Sequence, residues 1–426
     1  MTSPTVTHPL VTASRHPLIE AGPGGALPPL PKSAWVEVDL DAIVANARIF
    51  SELLGPDEAI QPVVKADAYG HGAVAVSRAL VTAGIESLAV ATFDEGLELR
   101  QAGIDVPILI LFPIPAELAP AALRNRLSVT VGDTELTART MAVLSGMGEV
   151  APEDRLCIHV EVETGLGRGG AFPDDAVALA RAVDGCPQGR LAGLWTHLQA
   201  ATDATTTTAQ RERFDRTAGL LEAAGVSVPR RHLSASGGIL AATAGSYDTV
   251  RIGISLYGLV PDAVDPAGSR LPAAAGLRPA MAVRAKPVRV ARLPADYGVS
   301  YGPTFRTTRE SRIATLPLGY ADGWPRVLSN RMEVLVRGRR VPQVGTVAMD
   351  ALMVDVTDVP GPAVTIDDEF TLIGRQEGAE ISAQEVARWG NTVSYEVISA
   401  MSGRLPRVYY AGTKPVAMRV VAGEAR

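Results

Sequence analysis

Pro62-Val63-Val64-Lys65-Ala66-Asp67-Ala68-Tyr69-Gly70-His71-Gly72 begins as a short apolar run, stops at a lysine and turns polar and glycine-rich. A run this short, without a helical stripe and closed by turn formers, reads as a buried strand, Pro62–Lys65, emptying into a loop. The same unit recurs downstream at Ser87–Thr92, Pro107–Phe112, Ser128–Gly132, Arg155–Glu163, Leu191–His197, Arg231–Ala235 and Thr249–Ile254. Most segments between these strands have helical patterns. Thr92-Phe93-Asp94-Glu95 is a capping box that opens a helix stopping at Gly103, and Gln210–Ala224 is a long amphipathic stretch ended by Gly225. Upstream, Trp35–Asp39 is strand-like and leads into a helix with Ile43, Ala47, Phe50 and Leu54 on one stripe and Asp39 or Asp41 as N-cap. Eight strands with crossover helices predict an α/β fold, an N-terminal (β/α)8 TIM-type barrel over residues 34–270.

From residue 271 to 426 the texture changes. Helical stripes nearly vanish and short strands follow one another: Met281–Leu293, Arg312–Leu318, Met332–Val336, Arg340–Val344, Leu352–Val356 and Glu369–Ile373, interrupted by one helix at Ser382–Trp389. This is a second, mainly β, C-terminal domain. Val260–Pro279, rich in proline and small residues, reads as the linker. Residues 1–33 read as a poorly ordered extension or an arm that docks on the body, with no apolar segment of the secretory kind.

The bulk numbers agree with two soluble domains. The chain has 426 residues, more than one hydrophobic core usually organises, with 47% hydrophobic and 20% charged residues. A net charge of −6 argues against nucleic-acid or anionic-membrane partners, and the longest apolar run, Val106–Pro115, is too short to span a bilayer. The two cysteines, Cys157 and Cys186, form no CxxC or His-rich cluster, so no metal site is read; so few cysteines suit a reducing, cytoplasmic setting.

In a barrel of this class the chemistry collects at the C-terminal ends of the strands. There the sequence places Lys65 with Tyr69, then Glu163-Thr164-Gly165-Leu166-Gly167-Arg168, Thr196-His197, Ser234-Ala235-Ser236-Gly237-Gly238, and Arg251 with Gly253 and Ile254. A lysine at the end of a buried strand either snorkels to solvent or is a desolvated, nucleophilic Schiff-base amine. The Ser-Gly-Gly turn is either plain turn chemistry or a cradle of backbone N–H groups for a phosphate. Singly, His197 is a structural histidine, Tyr301 an ordinary turn aromatic, Met349 core packing and Cys157 an inert thiol. A lysine and a phosphate cradle in one mouth point jointly to pyridoxal phosphate.

These residues resemble a known family. Val63–Gly72 looks like the cofactor-attachment motif of alanine racemases. The similarity runs on through Glu163–Arg168, Val250–Gly253, Ser300-Tyr301-Gly302, Leu318–Gly323, Met349-Asp350 and Ser394-Tyr395-Glu396, covering residues 34–410. The resemblance implies that Lys65 attaches pyridoxal phosphate. It implies that Tyr69, Ser236, Tyr395 and the backbone of Gly253 and Ile254 hold the phosphate. Arg168 would reach the phenolic oxygen and Arg251 the pyridine nitrogen, with His197 in the ring layer. Tyr301 would be the second catalytic base beside Lys65, and Tyr320, Met349 and Asp350 would shape the substrate entrance. It further implies a cytoplasmic homodimer with shared active sites that supplies D-alanine.

Two positions depart from the family pattern. Ala235 stands where an asparagine is usual, and Glu161 where many members carry a carbamylated lysine seven residues before the ring arginine. A pattern with Glu161 and Glu163 two apart on one strand puts both side chains on one side, within reach of Arg168 across a short turn. The alternatives are a racemase of another or broader range, such as serine, a decarboxylase of the same fold type, or a non-catalytic cofactor carrier. Such decarboxylases use a second-domain cysteine, whereas both cysteines here lie in the barrel. Such carriers lack the second domain altogether.

Overall fold

The structure, a computed structural model, describes residues 18–22, 26–243, 245, 247–264 and 273–421. These residues fall into two compact units, each built from separate stretches of chain.

The larger unit takes Asp39–Met281 and Ser382–Ala400. Its strands are Ala59–Pro62, Leu88–Val90, Ile108–Ile110, Leu127–Val131, Leu156–Glu161, Gly189–Trp195, Arg231–His232 and Thr249–Ile252. The second to seventh form one parallel sheet, and the eighth pairs in parallel with the first. Single bridges, Val63 to Ala89 and Ala235 to Arg251, join the two sheets into a ring of eight. Most strand residues are covered on both faces, so the strands are mainly apolar; Ile110, Val129, Ile158, Leu194 and Val250 are all buried.

Local signals place the crossover helices. The helix Leu40–Glu52 starts because the Asp39 carboxylate accepts from Ala42 N at 2.8 Å, and it buries Ile43, Ala47 and Phe50. Leu54, expected on the same stripe, lies just beyond its end. The expected capping box is present at Phe93–Gln101. The long helix runs Ala204–Ala223, six residues earlier than the sequence pattern suggests. Its start is a run of threonines, poor helix formers, rescued by the Asp203 side chain accepting from Thr206 N at 2.7 Å.

The first strand also departs from expectation. It ends at Pro62 rather than at Lys65. Its start was illegible because a polar residue sits in it: Gln61 is buried and donates to Leu88 O at 3.3 Å.

The smaller unit combines the described residues up to Val38 with Ala282–Ile381 and those from Met401 onward. One large sheet runs in the order Leu18–Glu20, Lys414–Arg419, Arg407–Ala411, Ala34–Asp39, Met281–Ala285, Phe370–Gln376, Glu333–Val336, Arg339–Pro342, and a three-stranded sheet joins Arg289–Leu293, Ser311–Leu316 and Leu352–Asp355. The single strand expected over Met281–Leu293 is broken in two around Pro287, which lacks the N–H a ladder needs.

Two stretches side with the unit opposite to their position in sequence. The strand Ala34–Asp39, expected to open the barrel, sits between two strands of the β unit. The helix Ala383–Gly390, expected in the β domain, and a second, unexpected helix, Ser394–Ser399, belong to the barrel unit. There the Ser394 hydroxyl donates to the Asp262 carboxylate at 3.0 Å.

The described part of residues 1–33 makes contacts within the smaller unit. Leu18–Glu20 pairs antiparallel with Ala417–Arg419, and Lys32 Nζ lies 2.5 Å from Oδ1 of the fully buried Asp322. Residues 1–17 and 23–25 of the expected extension, and 265–272 of the expected linker, lie outside the described residues. Removing one partner of a buried pair strands the other charge, at a cost of about 3–5 kcal/mol for a fully buried pair. Lys32→Met should therefore lose roughly 2–3 kcal/mol, because Arg404 remains 3.7 Å from Asp322. An unchanged urea midpoint would show that Arg404 alone compensates the carboxylate.

Candidate active site

The chain leaves the first barrel strand and turns left-handed. Ala66, Asp67, Ala68 and Tyr69 all have φ between 51° and 55°. Such a conformation costs a non-glycine residue roughly 1–2 kcal/mol, so surrounding bonds must hold it. Gly70 N donates to Ala66 O at 3.0 Å, Gly72 N to Asp67 O at 2.8 Å, and the Asp67 side chain accepts from Ala73 N at 2.9 Å. Gly70 cannot carry a side chain, since a Cβ would lie 2.2 Å from Ile398 O. His71 is fully buried, its ring stacked on Tyr257 with centroids 4.5 Å apart.

The turn delivers Lys65 and Tyr69 into a cavity of about 500 Å³. Burial, with the charges of Arg168 and Arg251, pulls the Lys65 amine below its ordinary value, against an opposing pull from Glu95. The Tyr69 ring lies 4.9 Å from Tyr257 and 6.4 Å from Tyr395. Burial raises Tyr69, and pushes Tyr395 up to about 12, so both hydroxyls stay protonated donors near neutral pH. Ser236 and Gly253 lie beside them, with Gly253 N donating to Ser236 Oγ at 3.1 Å. A Cβ on Gly253 would come within 2.7 Å of the Tyr69 hydroxyl, so only glycine leaves this corner open. Ile254 and Tyr395 complete that end of the cavity.

Arg251 forms the opposite wall. It is buried, and it donates to His232 Nδ1 at 2.7 Å, to Thr196 O at 2.6 Å and to His197 Nδ1 at 3.3 Å, with its guanidinium 4.8 Å from the Trp195 ring centroid. An arginine only donates, so Nδ1 of each histidine must accept and the proton of each neutral ring sits on Nε2. His232 Nε2 then donates to His159 Nδ1, 3.1 Å away. Burial lowers Arg251 to about 9, leaving it charged at neutral pH. Burial and Arg251 push His197 down to about 3; burial, Arg230 and Arg251 do the same to His159. These histidines therefore stay neutral, while an unfolded histidine protonates near pH 6.5. Their contribution to stability is complete above about pH 6.5 and drains away as the pH falls towards 3. The urea midpoint should drop between pH 7.5 and pH 5, and a flat profile would contradict the neutral cluster.

Arg168 enters from the fifth strand, which ends at Glu161, two residues sooner than expected. The two glutamates consequently have different partners. Glu161 is buried and lies 3.6 Å from Arg168 Nη2; its carboxyl is raised by burial, against the pull of Arg168 and Arg251. Glu163 instead accepts from Gly165 N at 2.5 Å and Gly167 N at 2.9 Å, closing the turn that brings Arg168 back. Phe112 holds the other side, its ring centroid 5.6 Å from the guanidinium carbon.

In the smaller unit, Tyr301 is 74% exposed and follows Ser300, whose φ is 64° and whose hydroxyl donates to Thr346 O at 2.6 Å. The Tyr320 segment is zipped to the Met349 segment: Tyr320 N donates to Ala348 O at 3.0 Å and Ala321 N to Met349 O at 3.1 Å. Tyr320 and Met349 are exposed rather than packed, and Asp350 is held by Arg404 at 2.6 Å.

The nine residues expected to hold the cofactor, from Lys65 and Tyr69 to Ile254 and Tyr395, thus line one cavity. Trp195, His232, His159 and Phe112 went unread, since each is an ordinary apolar or aromatic residue of a strand or strand end with no local signal.

The chain matches two family models, "Alanine racemase, N-terminal domain" over residues 38–261 and "Alanine racemase, C-terminal domain" over residues 280–409. It is 38% identical to the alanine racemase of Halothermothrix orenii, over 89% of this chain and 97% of that one. It is 40% identical to the alanine racemase of a Synechocystis species, over 88% of this chain and 98% of that one. The crystal structure of alanine racemase from Bacillus anthracis with bound L-Ala-P superposes with a TM-score of 0.84 at 35% identity, covering 92% of this chain and 98% of that one.

Proposed function

The chain belongs to the alanine racemase family, and from that premise we propose that Lys65 and Tyr301 are the two bases with which it interconverts L- and D-alanine. The family depends on pyridoxal phosphate, and the residues fit that group. The cavity offers an amine depressed by burial, two neutral phenols and an open backbone corner at Gly253 at one end, and a charged, donor-only guanidinium at the other. Lys65 would attach the cofactor. Tyr69, Ser236, Tyr395 and the backbone of Gly253 and Ile254 would hold its phosphate, Arg168 its phenolic oxygen and Arg251 its ring nitrogen, with His197 steadying Arg251.

Bound there, the cofactor supplies the electron sink that makes the Cα proton acidic. Racemisation takes a proton from one face of Cα and returns one to the other, so a rigid site needs a base on each face. Lys65 Nζ serves one face and Tyr301 Oη the other. Arg251 gives a hydrogen bond but withholds a proton from the ring nitrogen, which restrains side reactions such as transamination. Tyr320, Met349 and Asp350 shape the entrance, and a second copy of the chain completes each site in a cytoplasmic homodimer.

The observation that carries this reading is the convergence of Lys65, Arg168, Arg251 and the Tyr69–Gly253 corner on one cavity. The test is racemisation over a panel of L-amino acids, with alanine expected fastest. Preference for serine would move the assignment within the family, and carbon dioxide release would favour the decarboxylase.

Glu161 supports the same reading as a carboxyl group beside Arg168 that needs no carbon dioxide to form. An ion pair at 3.6 Å to a partly exposed arginine is worth about 1 kcal/mol, so Glu161→Gln should lower kcat/KM roughly fivefold, with no bicarbonate dependence in either protein. A fully active Gln variant would mean that Phe112 and the glycine turn orient Arg168 unaided.

A further inference from the structure

Glu95 is the third residue of its helix, and its role as a helix cap uses half of its carboxylate. Oε2 accepts from Ala91 N at 2.7 Å and from Thr92 N at 3.2 Å, closing the capping box at the end of the second barrel strand. Oε1 turns the other way and accepts from Ala66 N at 2.7 Å. Ala66 directly follows Lys65 and opens the run of four left-handed residues. A capping box is complete without that third bond. One side chain therefore staples the end of the second barrel strand to the strained turn that starts at the lysine.

We propose that Glu95 is a positioning residue for Lys65, locking the left-handed turn so that the lysine amine faces the cavity. This rests on the assignment of Lys65 as a catalytic base. The carboxylate is matched to the task, because its two oxygens accept from three amides lying in two directions. Glutamine offers one oxygen and turns an NH2 group towards N–H donors on the other side. Aspartate is one methylene too short to span both. The charge acts in the same place: among the charged groups facing Lys65, Glu95 opposes Arg168 and Arg251.

The test compares Glu95→Gln and Glu95→Ala with Asp133→Ala in the cofactor-loaded enzyme. Asp133 caps a different barrel helix, accepting from Leu136 N at 2.7 Å, so its loss reproduces a missing cap away from Lys65. Hydrogen–deuterium exchange should rise severalfold across residues 64–72 in both Glu95 variants and stay at the wild-type level in Asp133→Ala. Misplacing a catalytic group by a fraction of an ångström to one ångström costs about 10- to 100-fold; that loss should fall on kcat while KM changes little. The pH limb of kcat that belongs to Lys65 as a free amine should move to lower pH, because removing a nearby anion makes the ammonium easier to deprotonate. Wild-type exchange in this segment, or a kcat and pH limb indistinguishable from those of Asp133→Ala, would reduce Glu95 to a helix cap. A wild-type protein inactive on every amino acid would overturn the racemase reading instead, while the exchange measurement would still report on the staple.

Discussion

Lys65→Ala is expected to abolish the absorbance of lysine-linked cofactor and to lower racemisation roughly 1,000-fold or more in both directions. Two losses combine in this variant. Lys65 is the amine that burial, Arg168 and Arg251 hold below its ordinary value, which favours its neutral, nucleophilic form. On the proposed assignment the same amine is also the proton carrier on one face of Cα, and alanine leaves neither function. The fold should survive, because Lys65 sits at the cavity edge and the left-handed turn is held by backbone bonds and by the Asp67, Gly70 and Glu95 contacts. Near-wild-type activity and absorbance in the purified variant would end the assignment of this cavity as the active site.

Tyr301→Phe is the second large effect, expected at about 100- to 10,000-fold in turnover. The variant removes one oxygen and retains the ring, so binding should change much less than turnover. Its distinguishing mark is asymmetry. In heavy water, the enantiomer whose proton leaves towards Lys65 should still exchange at Cα, while the other should stop. Equal rates with both enantiomers at wild-type level would leave Tyr301 an exposed turn aromatic. The same variant tests the dimer. Mixing Tyr301→Phe with Lys65→Ala subunits restores one intact site per mixed dimer if each site takes its tyrosine from the other subunit. Activity well above that of either parent is expected, and its absence would place both bases in one chain or the protein in a monomer.

Most of the barrel was legible because its signals are local. A parallel strand covered on both faces reads as a largely apolar run, so Ile108–Ile110 announces itself without any neighbour, and Leu127–Val131 nearly so, with only the small hydroxyls of Ser128 and Thr130 among its aliphatic residues. Asp39, Thr92 and Glu95 mark helix starts because a cap is satisfied within four residues of itself. The candidate residues at the strand ends were readable for the same reason: a lysine, an arginine or a glycine run after an apolar strand stands out in one dimension.

What stayed hidden depends on partners far away in sequence. No propensity reveals that Ala66–Tyr69 turn left-handed, because four non-glycine residues adopt that conformation only when Gly70 meets the Ile398 carbonyl and Ala66 finds Glu95. The division into units was hidden too. Ala34–Asp39 goes to the β sheet because the strands Arg407–Ala411 and Met281–Ala285 offer it edges on both sides. Chain order thus determined the strands, most helices and the residue types at the mouth, all set by periodicity and capping. Tertiary structure alone decided that His197 and His159 stay neutral, that Glu161 rather than Glu163 pairs with Arg168, and that Lys65 faces the cavity. Those outcomes are energies of burial and of long-range pairing, and they exist only once distant segments meet.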